Sequence, residues 1–278
     1  MIEKKRSVPA KIGIAVTCFL IVLIYVFPFY IVGNVSLRDI TDLSSRLLPT
    51  KGGSFQNYVK VLENKEFWTS FVNTVIYCAF EIMFLIPIAA IGGYSLARTK
   101  NFFTTTIRSL NILIMMIPGT ALLVGTYGLM VKLHLTNSLI GMALLGAGGG
   151  MTGGMFFYTT FTTMIPTELD EAAAIDGAGV VRTYFQIIFP QLKAITVTRV
   201  INIIIGCWNN YLMPMYMLQK GSKFTLLLYV RKLFTGQKVQ SVPLAFAGCA
   251  LMVVPVLIMY FSMQKYIIGS QLDSAVKG

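Results

Sequence analysis

The sequence predicts an all-α integral membrane protein: six transmembrane helices, with a short polar helical segment set between the fourth and the fifth. Composition is the first observation behind this. Of 278 residues 55% are hydrophobic and only 12% are charged, and mean hydropathy is +0.71. A soluble chain carries about 25% charged residues. Second, apolar runs of membrane length, ~20 residues for a ~30 Å hydrocarbon core, recur near 12–33, 70–96, 108–131, 138–162, 194–217 and 243–264. Third, the stretch PTELDEAAAIDGAGVVRTYFQIIFP, residues 166–190, is polar and helical in pattern yet lies between two such runs. Backbone polar groups cannot stay unpaired in lipid, so the runs must be helices. They use most of the chain, which implies one membrane domain over 1–278 and no space for a soluble one.

The elements follow in chain order. Lys4, Lys5, Arg6 and Lys11 precede the first apolar run, which is too long for the core of a secretory signal. No small-x-small cleavage site follows Phe29-Tyr30-Ile31, so the run reads as an uncleaved span with the N-terminus inside. The second span carries Glu81, an ionisable group near mid-membrane. The third contains Met116-Ile117-Pro118-Gly119 and the fourth the tract GAGGGMTGG, residues 146–154. That tract has no Lys, so close helix approach or local unwinding is a better reading than a phosphate cradle. The fifth carries Asn202 and the cluster Trp208-Asn209-Asn210-Tyr211. Pro87, Pro118, Pro214 and Pro255 each interrupt a span or its end. Six crossings place the 164–193 loop and the C-terminus inside. The 23 Lys and Arg divide almost evenly between the two sides in that scheme. The dense basic flank of the first span supports it, whereas Lys220, Lys223, Arg231, Lys232 and Lys238 in an outer loop over 218–242 oppose it.

Local chemistry makes the polar segment two helices joined by a turn. Thr167 can cap the first, with Asp170 completing a weak capping box. Glu168, Asp170 and Glu171 sit in the first turn, where the macrodipole favours negative charge. Leu169, Ala172, Ala173 and Asp176 recur at helical spacing as a narrow stripe of mostly small residues. Gly177 and Gly179 supply a permissive backbone for the turn, and Val181, Phe185, Ile188 and Phe189 give the second helix an apolar face. Helices that lie on a membrane surface usually carry Lys and Arg on the polar face. This one is acidic, which favours docking into a groove of another protein.

Glu171-Ala172-Ala173, Gly177 four residues later and Ile187-Ile188-Phe189-Pro190 resemble the EAA loop of importer permeases of the ATP-binding-cassette superfamily. The longer string Glu168-Leu169, Glu171-Ala172-Ala173, Ile175-Asp176-Gly177-Ala178 is similar to the maltose-type inner-membrane subunit of the carbohydrate-importer branch. Met116-Ile117-Pro118-Gly119, Trp208-Asn209 and the ending Ala275-Val276-Lys277-Gly278 agree, so the likeness runs from about residue 70 to the C-terminus. Phe189, where the family usually has Leu, and Glu81, in a normally neutral span, depart from the pattern.

The resemblance implies a bacterial or archaeal cytoplasmic membrane location and a second permease subunit, with the pair a heterodimer. It also implies two cytosolic ATPases that bind the ATP, an external solute-binding protein and a sugar substrate. Glu168, Leu169, Glu171, Ala172, Ala173, Asp176 and Gly177 would then be the ATPase-coupling residues, and Gln264 to Gly278 a second contact. The binding protein would dock near the 34–66 and 218–242 loops.

The chain has no GxxxxGK[ST] string and so no P-loop of its own. Cys18, Cys78, Cys207 and Cys249 are isolated within apolar runs, and His134 stands alone, so no metal site, cofactor or catalytic constellation is expected. Asn34-Val35-Ser36 matches a glycosylation acceptor by pattern only. The net charge of +12 is topogenic and surface charge, not a nucleic-acid footprint. Polar groups within spans define the candidate substrate path: Glu81, Asn202, Trp208, Asn209 and Asn210. Amide and aromatic groups suit sugar hydroxyls and ring faces, while an interfacial aromatic belt also accounts for Trp208 and Tyr211. Two readings of Glu81 stand, a structural hydrogen-bonded group and a path-lining one. The alternatives on function are an importer for glycerol phosphate or another solute, a self-contained secondary transporter using Glu81 as proton relay, and a membrane anchor.

Overall fold

Three glycine contacts set the register of the bundle. A Cβ on Gly146 would overlap the Glu81 carboxylate, one on Gly150 would overlap Leu85 Cδ1, and one on Gly154 would lie 2.9 Å from Ala89 Cβ. A Cβ on Gly93, in turn, would overlap Tyr158 Cβ and lie 2.9 Å from the Thr159 backbone nitrogen. The contacts step four residues at a time on both helices, and both sets of numbers rise together. The glycine tract therefore forms a smooth i±4 ridge seated in parallel against the second span.

The computed structural model describes residues 8–39, 42, 44–50, 52–235 and 242–275, with side chains described for 11–262 of these. Among them the elements are α1 Val8–Ser36, α2 Gln56–Glu63, α3 Lys65–Arg98, α4 Phe102–Met115, a 3-10 turn Gly119–Leu122, α5 Leu123–Lys132 and α6 Leu139–Thr163. Then come α7 Glu168–Ile175, α8 Val180–Thr183, a π turn Tyr184–Ile188, α9 Phe189–Gln191 and α10 Lys193–Asn209. The last are α11 Leu212–Met217, a 3-10 turn Gly221–Lys223, α12 Leu226–Thr235 and α13 Val242–Ala275. No strand occurs among the described residues. Lys11–Ser36, Lys65–Arg98, Leu139–Thr163 and Val242–Ser262 are each long and apolar enough to cross a membrane. The pairs Phe102–Met115 with Gly119–Lys132, bent by 87°, and Val180–Gln191 with Lys193–Asn209, bent by 74°, bring the number to six if each is one span.

The third expected span, 108–131, is thus not one rod. Pro118 has no N–H to donate and adopts φ −65°, ψ 125°, so α4 stops at Met115 and a 3-10 turn restarts the helix. Because α3 and α6 run parallel, the chain between them must return once along the bundle, and this bent pair is the return. The fifth, expected over 194–217, also breaks. Asn210 is extended at φ −72°, ψ 114°, and α11 restarts with Pro214 in its first turn, where a missing N–H costs nothing. The side α10 presents to α6 runs antiparallel: Tyr158 Oη donates to Thr196 Oγ1 at 3.1 Å and Arg199 Nη2 to the Gly150 carbonyl at 3.1 Å.

Two compact units divide the chain: Met1–Lys65 with Val230–Pro255, and Glu66–Tyr229 with Val256–Gly278. In the first, a polar knot orders the segment after α1. Arg38 is 2% exposed, donates to the Ser44, Ser45 and Leu48 carbonyls, and pairs with Asp42 at 3.6 Å. Asn34 donates to the Arg46 and Leu48 carbonyls and accepts from Thr50 N–H, so the glycosylation pattern falls on a carboxamide already fully engaged. The expected outer loops thus hold helices α2 and α12. Loop 218–242 hides a helix because Leu226, Tyr229, Val230 and Leu233 fall on one buried face, a pattern too short to read as a span. Lys238 lies outside the described residues.

In the second unit the tight contact at Gly93 makes a direct prediction. Its neighbour is backbone and cannot swing aside, so Gly93→Ala should destabilise the bundle by ~1–3 kcal/mol. A Cβ on Gly148 meets nothing within 4 Å, so Gly148→Ala should hold or raise stability through better helix propensity. Thermal midpoints in detergent compare the two variants.

Candidate functional site

Two polar features stand out in the second unit: the segment between α6 and α10, and a charged cluster between α3, α6 and α10. In the first, α7 begins after Pro166 with Glu168, Asp170 and Glu171 in its first turn. Thr167 occupies the N-cap position, yet its side chain makes no capping bond, because its backbone is already helical at φ −71°, ψ −21°. The capping box is therefore absent. Asp170 instead accepts from Tyr94 Oη at 2.7 Å and from Arg98 Nε and Nη2, each at 2.9 Å. Arg98 completes its fork on the Thr162 carbonyl at 3.2 Å and the Pro166 carbonyl at 3.4 Å. One guanidinium thereby ties the end of α3, the end of α6 and the first turn of α7.

The far end of α7 closes by backbone geometry. Gly177 N–H donates to the Ala174 carbonyl at 3.1 Å and Ala178 N–H to the Ala173 carbonyl at 2.8 Å, the paired bonds of a Schellman cap. Gly177 has φ +76°, which an L side chain takes only under strain, whereas Gly179 at φ −73° is in a region open to any residue. The turn therefore rests on Gly177 alone. Of the expected coupling residues Ala173 is buried, while Glu168, Leu169, Glu171, Ala172, Asp176 and Gly177 are all exposed. The expected apolar face of the second helix is split. Tyr184 and Ile188 pack inward, with Tyr184 5.1 Å from the Tyr94 ring, whereas Val181 and Phe185 are 71% and 55% exposed. The π turn rotates the register there, so simple helical spacing misassigns the faces. A cleft of about 610 Å³ opens between Tyr94, Arg98, Asp170, Glu171, Val181 and Phe185. The tail from Gln264 lies outside the residues whose side chains are described.

The second feature gathers groups from distant parts of the chain. Cys207 Sγ donates to Glu81 Oε2 at 3.2 Å, and the Tyr77 hydroxyl is also within bonding reach of Glu81. Asn210 Nδ2 donates to Tyr77 Oη at 3.2 Å. Arg199 lies over the glycine tract, its Nη2 within 3.9 Å of where Cβ atoms on Gly150, Gly153 and Gly154 would sit. Side chains there would touch the guanidinium at ordinary contact distance, so the tight requirement for glycine comes from α3 and not from Arg199. A cavity of about 890 Å³ adjoins Tyr77, Gly149, Gly153, Arg199, Asn210 and Met213.

Of the residues expected to line the path, the structure joins Glu81 and Asn210 through Tyr77. It leaves the other path candidates apart. Asn202 is exposed on α10, and Asn209 folds its carboxamide back onto the Ile205 carbonyl at 2.9 Å. Trp208 is 8% exposed with its ring edge-on to Phe71 at 5.9 Å, so it is buried rather than part of an interfacial belt. Arg199, Tyr77, Tyr94 and Arg98 were missed. The available signal for Arg199 was its place inside an expected span, where a cation is costly and rarely idle. Among the described residues no three His, Cys, Asp or Glu side chains gather as a metal site.

Four to six candidate membrane spans, with an exposed acidic helix tied by Arg98 to the ends of α3 and α6, define a multi-span membrane protein. Residues 86–270 match the model of the binding-protein-dependent transport system inner membrane component family, and the chain belongs to that family. It is 32% identical to the melibiose/raffinose/stachyose import permease protein MelC of Bacillus subtilis, over 90% of this chain and 91% of that one. It is 31% identical to the probable starch degradation products transport system permease protein AmyC of Thermoanaerobacterium thermosulfurigenes, over 92% and 93%. Its fold is similar to that of a chain in the crystal structure of a bacterial transporter involved in import of the acidic polysaccharide alginate. The TM-score is 0.82 with 23% identity, and the match covers 94% of this chain and 98% of that one.

Proposed function

We propose that this chain is one permease subunit of an ATP-driven, binding-protein-dependent importer for an oligosaccharide. It would pair with a second, different permease and be driven by two cytosolic ATPases. The stapled α7 helix carries the proposal: Asp170 is held by Arg98 and Tyr94, while Glu168, Glu171, Ala172 and Asp176 stay free for a partner. A lever needs such a fixed root and an open docking face. Closure of the ATPases moves α7, and the Arg98 fork passes that displacement to α3 and α6 together, rocking the cavity between the two sides of the membrane. The segment containing α7 and both termini lie in the cytoplasm in this reading. The sugars for which the relatives are named support a sugar, and the Tyr77, Asn210 and Arg199 lining supplies donors and acceptors for hydroxyls.

Reconstitution of the permease pair, ATPases and binding protein in liposomes tests the proposal. Uptake of labelled raffinose- or maltodextrin-type sugars should require ATP on the α7 side together with the binding protein. Uptake driven by a proton gradient without ATPases would instead establish the secondary-transporter reading, with Glu81 as relay. Labelling of a cysteine placed at Glu168 by a membrane-impermeant reagent in intact cells would overturn the topology.

A further inference from the structure

A smaller, mostly apolar cavity with a few polar groups lies away from the sites above. About 240 Å³ in volume, it is lined by Leu96, Arg108, Asn111, Phe156, Thr159 and Thr160 on α3, α4 and α6. Arg108 Nη2 donates to the Leu96 carbonyl, while Arg108 Nε and Thr159 Oγ1 are buried without a partner among the described residues. Asn111 Nδ2 is spent on the Thr152 carbonyl at 2.8 Å. No acidic side chain lines the cavity, so the guanidinium charge is uncompensated. A cation and a hydroxyl left unpaired in a membrane-spanning bundle are costly, and the cost falls if an anion with acceptor oxygens enters.

Location decides which anion. Arg108 sits six residues into α4, ~9 Å along the axis from its start. That start is flanked by Lys100 and by Phe102 and Phe103, 88% and 69% exposed, an aromatic and basic rim of the kind found at headgroup level. Below the rim the surface is apolar and open: Leu110, Ile112, Leu113 and Phe156 are 51%, 49%, 58% and 46% exposed. A charged pocket at headgroup depth, continuous with an apolar wall, fits one molecule with both characters.

We propose that this cavity binds the phosphate of an anionic phospholipid, with Arg108 as its counter-charge and the acyl chains lying along Ile112 and Phe156. The test is lipid retention by the assembled importer, transferred from nanodiscs of phosphatidylglycerol or phosphatidylcholine into detergent and weighed by native mass spectrometry. Wild type should retain phosphatidylglycerol over phosphatidylcholine. Arg108→Gln should lower that retention by roughly fivefold, the factor for one basic side chain at a membrane phosphate. Arg108→Lys should restore part of it, and Thr160→Met should expel the lipid by filling the cavity while leaving the charge in place. Lys132→Gln, at the far end of α5, should leave retention unchanged. Equal retention in wild type and both Arg108→Gln and Thr160→Met would overturn the proposal. So would displacement of the lipid by millimolar inorganic phosphate, which would make this a soluble-anion site. Loss of the second permease from Arg108→Gln with no lipid bound to wild type would make it a protein interface, and would also refute the proposal.

Discussion

Replacing Asp170 by Ala is expected to uncouple transport from ATP hydrolysis in the assembled importer, leaving the chain inserted and the ATPases turning over. Asp170 is the only acid that Arg98 meets among the described residues, and it also takes the Tyr94 hydroxyl proton at 2.7 Å. Removing one partner of a fully buried pair costs about 3–5 kcal/mol. Here the two side chains are 13% and 20% exposed, so solvent shares the charge and ~1–3 kcal/mol is the fairer figure. A coupling free energy of that size corresponds to roughly 5–150-fold in the response of one site to another. Sugar uptake per ATP hydrolysed should therefore drop by that order, while the thermal midpoint falls by only several degrees and membrane yield changes little. Arg98→Lys should be intermediate, because an ammonium keeps the charge but cannot span Asp170 and the Thr162 carbonyl as the fork does. Unchanged uptake per ATP in Asp170→Ala would remove the staple from the mechanism.

The second large effect is expected at the docking face itself. Glu171→Lys reverses an exposed charge that forms no ion pair among the described residues, so the fold loses only a small macrodipole contribution while the first turn of α7 falls from three negative charges to a net of one. Gly177→Arg acts differently. A Cβ there meets nothing within 4 Å, so packing permits it, but φ +76° costs an L residue about 1–2 kcal/mol. The Schellman cap loosens, and a bulky cation stands at the tip of the lever. Both variants should insert normally, fail to co-purify with the ATPases and abolish uptake. Normal uptake in both would refute ATPase docking on this segment.

Much of the α7 segment was legible in the chain. The acidic first turn, the Ala stripe and the Gly177 turn follow from local chemistry and from the contrast with the apolar runs around them. Its root was not, because Arg98 precedes Asp170 by 72 residues and no local pattern links them. Thr167 and Asp170 show the cost of that blindness. Their spacing spells a cap, but the Asp170 carboxylate is drawn away by a guanidinium from another helix.

By itself the sequence determined the character of each segment: which stretches are apolar enough to span a membrane, which is an acidic helix between them, and that Gly177 is where its backbone can turn. Those outcomes depend on composition and spacing over a few residues, which is what water and lipid act upon. Only the tertiary structure decided partners. It set Gly146, Gly150 and Gly154 against α3 while leaving Gly148 and Gly149 clear, and it laid Arg199 over the tract. It also joined Glu81 to Cys207 and left Asn202 outside. Periodicity says that one face of a helix is covered. What covers it depends on the direction and register of another helix, and a slip of one residue turns each side chain by ~100°.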